Sequence, residues 1–293
     1  MNHLARLESK SIHIIREAYS SFPNLGFLWS IGKDSTVLLW LIRKAFFGHI
    51  PFPVIHVDTT YKIDSMIEFR DKLALEWGFT LVTSKNDQSL DEGETFPNGK
   101  ADRLRCCHLL KTVGLRQMLT GSVPRFYLSQ ETKNFEPFES REPFTAVMLG
   151  VRSDEEGTRS KERYFSPRDS QNRWNVSSQP PEFWNQFQTE FPKGTHVRVH
   201  PLLDWTELNI WEYIKQENIP VIPLYFDQGQ GTRYRSIGCG PCTFPVKSPS
   251  KTVDEIIIEL RDGALSKTAE RAGRAQDHDG GGTLEALRRD GYM

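Results

Sequence analysis

Leu25-Gly26-Phe27-Leu28-Trp29-Ser30-Ile31-Gly32-Lys33-Asp34-Ser35 is the stretch that decides the fold. Leu25 to Trp29 reads as a short buried strand, residues 30–35 as a polar loop, and Val37 to Phe47 as an apolar helix that ends near Gly48. Backbone N–H groups at such a helix start have no partner within the helix and favour an anion. Lys33 adds a full positive charge, and Ser30 and Ser35 add hydroxyl donors. The combination suits a phosphate chain; the plain alternative is an ordinary strand-to-helix turn. A Walker A loop is excluded, because it needs four residues between Gly and Gly-Lys and then Ser or Thr. Here five residues separate Gly26 from Gly32, and Asp34 follows Lys33.

Outward from this stretch the chain alternates. Residues 3–20 give a moderately amphipathic helix, and Asn24 marks a break before the strand. Pro53 to Val57 is a second apolar strand with Asp58-Thr59-Thr60 at its end, followed by a helix over Ile63 to Trp77 and a third strand over Phe79 to Thr83. Phe144 to Gly150 is another buried strand, ending at Gly150-Val151-Arg152. Strands alternating with helices predict an α/β fold, a twisted and mainly parallel sheet with helices on both faces.

The intervening segments read differently. Residues 86–102 look like a loop, Cys106 to Leu119 a helix opening at the cysteine pair, 120–143 a polar excursion, and 152–200 a charged, loop-rich stretch. Thr206 caps a helix through Lys215, with Glu207 in its first turn. The expected division is a nucleotide-binding α/β domain over 1–225 and a loop-rich C-terminal region over 226–293. That region would hold a Cys-x-x-Cys loop, a short helix over Val253 to Arg261, and a charged tail with glycines at 280–282. His56, Trp205 and Trp211 read as core residues.

Composition narrows the class. The chain has 293 residues, 38% of them hydrophobic, with 18 Phe and 7 Trp, enough for a sizeable core. A net charge of -1 gives no whole-chain signal for nucleic acid. Met1 to Lys10 lacks an apolar signal segment, and the longest apolar runs are too short to span a bilayer. The expectation is a soluble cytoplasmic protein with no membrane partner.

Ser30-Ile31-Gly32-Lys33-Asp34-Ser35 resembles the PP-loop of ATP pyrophosphatases, usually written SGGKDS, with Ile31 in place of the commoner Gly. The wider resemblance is to the superfamily of sulfate adenylyltransferase small subunits and phosphoadenylylsulfate reductases. Residues 51–59, Gly150 to Glu156, Ser160 to Arg163, His200 to Glu207 and Glu270 to Arg274 carry it, in order, across most of the chain. The resemblance implies an adenine nucleotide α-hydrolase-like fold and cleavage of ATP between its α- and β-phosphates. It implies Lys33 as the clamp for charge growing on the leaving group and Asp34 as a Mg2+ ligand or loop anchor. Arg152 is placed to meet an oxyanion. Ser30, Gly32, Ser35, Asp58, Gly150 and Arg163 complete the expected nucleotide contacts, Asp58 having the alternative of a helix cap and Lys161 and Arg163 that of a solvated charge run.

All four cysteines fall in two groups, Cys106-Cys107 and Cys239-Gly240-Pro241-Cys242. Four thiolates suit an iron–sulfur cluster or zinc, and unligated or redox thiols remain open. Lys111 and Arg116 lie near enough in sequence to balance thiolate charge. The pattern resembles the ligands of the 4Fe-4S cluster in assimilatory adenylylsulfate reductases and in DNA-phosphorothioation proteins of the SspD/DndC type. It implies a cluster on Cys106, Cys107, Cys239 and Cys242. No cysteine follows Cys242, so no separate thiol would remain to attack a sulfonucleotide.

Three functions follow from these resemblances. The first is an ATP pyrophosphatase that adenylylates the DNA backbone for phosphorothioate modification, with a cysteine desulfurase and other sulfur-modification proteins as partners. The second is the catalytic subunit of sulfate adenylyltransferase, with a GTPase large subunit. The third is a non-catalytic nucleotide-sensing subunit, against which the intact Lys33-Asp34-Ser35 speaks.

Overall fold

Short strands set the frame. The computed structural model describes residues 2–157, 159–169, 171–265, 268–271 and 273–275; the rest of the expected charged tail, with its glycines, lies outside them. The sheet is built from β1 (Leu25–Leu28), β2 (Val54–Val57), β3 (Leu81–Ser84), β4 (Phe126–Leu128), β5 (Phe135–Pro137), β6 (Ala146–Leu149), β7 (Phe165–Arg168) and β8 (His196–Val199). Their order is β5-β4-β3-β2-β1-β6-β8-β7. β3, β2, β1, β6 and β8 run parallel; β4 and β5 close one edge antiparallel and β7 the other. Every residue of β1, β2, β3 and β6 is buried. Parallel strands covered on both faces by crossover helices require such apolar runs.

The helices are α1 (His3–Ser21), α2 (Lys33–Ala45), α3 (Asp64–Trp77), α4 (Asp87–Asp91), α5 (Arg103–Cys107), α6 (Gly114–Thr120), α7 (Glu207–Glu217) and α8 (Val253–Arg261). On one face of the sheet Ile14, Val37, Leu38, Leu41, Met66, Ile210 and Trp211 belong to one large core, which also holds Trp205. On the other, Leu115, Met118 and Leu119 of α6 pack with Ile55, Val57, Val82, Val147 and Leu149. Burial of each such side chain contributes about 1.5–3 kcal/mol. Thr206 accepts from the Asn209 N–H while Asn209 accepts from the Thr206 N–H, a reciprocal cap that starts α7. Among the described residues no helix is long and apolar enough to cross a membrane.

Five expectations change, the first at residues 86–102, where the expected loop opens with α4. Residues 120–143 are not an excursion outside the sheet but the hairpin β4–β5, and 152–200 contains β7 and β8. Both were hidden by composition: β7 carries Pro167 and Arg168, β8 carries His196 and Arg198. Arg168 is buried because Glu162 meets it at 2.8 Å, and Pro167 is tolerated on an edge strand. α5 starts at Arg103, where Asp102 accepts from the Arg105 N–H, so the cysteine pair ends this helix rather than opening one. A six-residue π-helical segment, His108–Val113, joins it to α6. Lys33, Asp34 and Ser35 lie in the first turn of α2, not in a loop.

The topology points to one place. β1 has β2 on one side and β6 on the other, so the chain reverses its winding between β1 and β6. In open α/β sheets the crevice outside the carboxyl ends of the strands at such a switch is where ligands bind.

Candidate active site

The turn between β1 and α2 is strained in the manner of a site. Ile31 has φ 68°, the left-handed region where a β-branched residue costs about 1–3 kcal/mol. Its side chain is buried in the core, which offsets that cost. Gly32 caps α2 without a side chain. The Lys33 N–H donates to the Tyr225 hydroxyl at 2.8 Å, Ser35 Oγ donates to the Gly32 carbonyl at 3.0 Å, and Ser30 and Ser35 share a hydrogen bond of 3.0 Å. Gly150, at the end of β6, packs against this turn. A Cβ there would stand 2.8 Å from Ser35 N, so no side chain fits between the strand end and the helix start.

Around the turn lies a group of buried charges. Lys33 is 2% exposed; it pairs with Glu270 and with Asp34 at 3.3 Å, and donates to the Arg235 carbonyl at 3.3 Å. Arg152 is 0% exposed and pairs with Asp34, with Glu270 and with Asp154 at 3.0 Å. Glu270 thus places one oxygen on Lys33 and the other on Arg152. Glu155 holds Arg159 and Arg271, and Glu207 holds Arg235 at 2.7 Å. Burial works against the charge on Lys33, but Asp34 and Glu270 outweigh it and raise its pKa. Arg152 is raised in the same way. Burial likewise opposes ionisation of Glu270, and Arg152 and Lys33 overcome it. The cations are therefore permanent.

Of these, Lys33, Asp34, Glu155, Arg159 and Arg271 border a cleft of about 1020 Å³, its open mouth included, lined by residues from the ends of β1, β2 and β6 and from the C-terminal region. Ser30, Gly32, Lys33, Asp34, Ser35 and Gly150 line it together. Arg152 stands just behind, reached through Asp34. Two expected contacts lie elsewhere. Asp58 does not line the cleft: its carboxylate accepts from the Thr60 N–H at 2.8 Å, closing a turn. Arg163 is exposed, and its carbonyl accepts from His200; Arg159 reaches the cleft instead because the short 3-10 turn Arg159–Lys161 points it inward. His56 is buried as expected, donating through Nδ1 to the Trp29 carbonyl at 3.0 Å, yet it also borders the cleft.

Glu270, Tyr225, Glu155 and Glu207 are the site residues that the chain pattern did not single out. Glu270 sits in the matched C-terminal block and was within reach; Tyr225 had no local signal.

The four cysteines, 106–107 on α5 and 239 and 242 on the loop, line a second cavity of about 270 Å³ beside the first. Cys107 and Cys242 are hydrogen-bonded, and Lys111 Nζ donates to Cys107 Sγ at 3.7 Å. The Cys242 hydrogen bond, with Lys111, pulls Cys107 down to about 6 against the effect of burial. Thr59 Oγ1 lies 3.2 Å from Cys239 Sγ. All four cysteines are free. Among the described residues no three His, Cys, Asp or Glu side chains are spaced to hold a single metal ion. Four soft thiols bordering one cavity beside Lys111 do fit the donor set of a cluster. Thr59 and Lys111 line both cavities and form the wall between them.

Comparisons with known proteins agree with this architecture. The chain is similar over its whole length to sulfate adenylyltransferase subunit 2 of Azotobacter vinelandii, at 40% identity and 99% of that protein's length. It is 38% identical to the protein of the same name from Geobacter metallireducens, again over 100% of this chain and 99% of the relative. Candida glabrata FMN adenylyltransferase, solved with FMN and an ATP analogue, shares the fold with a TM-score of 0.53 at 16% identity, over 92% of this chain and 87% of that one. Residues 24–245 match the phosphoadenosine phosphosulfate reductase domain, and the chain belongs to that family.

Proposed function

We propose that this protein cleaves ATP between the α- and β-phosphates and transfers the adenylyl group to sulfate, giving adenylylsulfate and pyrophosphate. The chain is an ATP-using enzyme of the adenylyltransferase class working in sulfur metabolism. The observation that carries the reading is the convergence of Lys33 and Arg152, from adjacent strand ends, on one carboxylate at the topological switch. A sulfate oxygen forms a bond to the α-phosphorus while the bond to the α–β bridging oxygen breaks, and its electron pair leaves with pyrophosphate. Lys33, on the cleft wall, neutralises that charge, a buried contact of this kind being worth about 3–4 kcal/mol, and Arg152 behind it holds Asp34 and Glu270 in place. Magnesium bound with the triphosphate would shield its charge; Asp34, an oxygen donor at the cleft wall, is the residue to hold it. The expected partner is a GTPase large subunit.

The thiol cavity favours a second reading, in which the acceptor is a backbone phosphate of DNA and a cysteine desulfurase supplies sulfur for phosphorothioate modification. In either reading Cys106, Cys107, Cys239 and Cys242 would hold a 4Fe-4S cluster, which would supply structure and local charge. Free thiols fit a reducing cytoplasm. A merely nucleotide-sensing subunit would not need the Lys33–Arg152 convergence.

Pyrophosphate release from ATP by protein purified without oxygen, with sulfate or with duplex DNA added, tests the reading. Sulfate-dependent adenylylsulfate formation is expected. Release with DNA but not sulfate would transfer the assignment to the second reading, and release with neither, GTPase subunit present, would sink both.

A further inference from the structure

Ser30, Ser35 and Tyr225 bring hydroxyls to the end of the cleft assigned to the phosphates. Two of the three have spent their protons. Ser35 Oγ donates to the Gly32 carbonyl at 3.0 Å, and a serine carries a single O–H. The 3.0 Å bond between Ser30 and Ser35 therefore takes its proton from Ser30. Both serines hold the turn together. Tyr225 differs. It ends the 3-10 turn Pro223–Tyr225, which follows α7. Two hydrogen bonds fix this turn: the Tyr225 N–H donates to the Ile222 carbonyl at 3.1 Å, and the Tyr234 N–H to the Leu224 carbonyl at 3.0 Å. Trp211 of α7 meets the tyrosine ring edge to face, with centroids 5.5 Å apart. The Tyr225 hydroxyl accepts from the Lys33 N–H at 2.8 Å, and among the described residues its own proton has no acceptor. Burial pushes its pKa up to about 12; Lys33 and Arg274 pull against this and Asp34 adds to it, so the proton stays on the oxygen.

A Cβ on Gly32 would stand 3.6 Å from the Tyr225 hydroxyl and 3.6 Å from Ser30 Oγ, so the two oxygens flank the bare glycine at the start of α2. Tyr225, Gly32 and Lys33 all line the cleft. A buried O–H without an acceptor is costly, and an anion at the helix start supplies the acceptor. A hydroxyl that already accepts from an N–H is polarised by it and donates more strongly. Lys33 Nζ is shared with Glu270 and Asp34, whereas the tyrosine proton is a donor at this end that no carboxylate has taken.

We propose that the Tyr225 hydroxyl is a further phosphate-binding donor, which gives its hydrogen bond to an oxygen of the β- or γ-phosphate and keeps it as pyrophosphate leaves. The assignment rests on the reading that this end of the cleft holds the leaving pyrophosphate. The test is equilibrium binding of pyrophosphate with magnesium, and separately of adenosine, to wild type and to Tyr225→Phe, which keeps the ring against Trp211. The variant binds pyrophosphate at least about tenfold more weakly, a hydrogen bond to a charged group being worth that much, while its affinity for adenosine stays within about twofold. Tighter pyrophosphate binding by the variant would show that the hydroxyl competes with the phosphate for the Lys33 N–H, and unchanged binding that it touches no phosphate; either overturns the assignment. A parallel loss of adenosine, the mark of a merely structural role, overturns it too, as does a wild type that binds no pyrophosphate. Failure of the adenylyl-transfer reading is separate: it shows as absent pyrophosphate release from ATP by wild type, even where the variant weakens pyrophosphate as expected.

Discussion

The two ends of the cleft handle charge in opposite ways. At the phosphate end every cation has a carboxylate: Lys33 and Arg152 share Glu270 and Asp34, Glu155 takes Arg159 and Arg271, and Glu207 takes Arg235. At the thiol end Lys111 donates to Cys107, and Arg274 to Ser236 and the Ile237 carbonyl. The first end is a finished electrostatic unit, held by strand ends and the first turn of a helix. The second lies on turns, and its cations lower the thiol of Cys239 against the effect of burial. A self-neutralised end is preorganised, so it can stabilise charge that appears only as the leaving group departs.

The harshest test of this contrast is Lys33→Ala. It removes the lysine of the finished end, and turnover is expected to fall by about a thousandfold, a single lost transition-state contact of this kind costing roughly that much. The helix start has its own hydrogen bonds, so circular dichroism should be unchanged. Pyrophosphate release at a near-normal rate would reject the clamp.

Glu270→Gln probes the neutralisation itself. It leaves Lys33 and Arg152 buried with less compensation, and removing one partner of a buried ion pair costs about 3–5 kcal/mol. ATP, which brings negative charge to the same two cations, should recover part of this. A larger ATP-induced rise in melting temperature in the variant than in wild type is the expected result. Equal shifts would mean that Glu270 and the triphosphate do not address the same cations.

What the sequence disclosed follows the same division. The strand, the Gly-Lys turn and α2 were legible because an apolar run meeting Gly32-Lys33 is a local pattern, and Gly150-Val151-Arg152 ends a second such run. Glu270 was not legible as a partner of Lys33, 237 positions away, because no periodicity links such a pair. β7 and β8 escaped for a related reason. Their Arg168 and Arg198 look like surface residues until the fold supplies burial and an acid such as Glu162. The thiol cavity was foreseeable only because the whole supply of cysteine falls in two groups; that Thr59 and Lys111 border it depends on the turns after β2 and α5.

Cys242→Ser sharpens the contrast from the other side. If the thiol end is a cluster site, the variant purified without oxygen should carry less iron and lose its visible absorption. Affinity for an ATP analogue should change by less than about threefold, since the phosphate end has its own support. A collapse of nucleotide affinity would show that the shared wall of Thr59 and Lys111 transmits more than position.

The smallest effect comes from Thr206→Ala. The Thr206 side chain accepts from the Asn209 N–H, and its loss should cost about 1 kcal/mol of stability, as N-cap deletions do. α7 is remote from the thiol end but not from the phosphate end: its first residue, Glu207, pairs with Arg235 and donates its N–H to Asp154 at 3.0 Å, and Asp154 in turn holds Arg152. If the finished end takes its stiffness from the helices that carry its acids, the variant should raise KM for ATP modestly, by about twofold to threefold, and leave iron content untouched. A stability loss with no change in KM would place the stiffness within the ion pairs alone. The contrast between the two ends would then be one of local charge matching, independent of the scaffold beneath it.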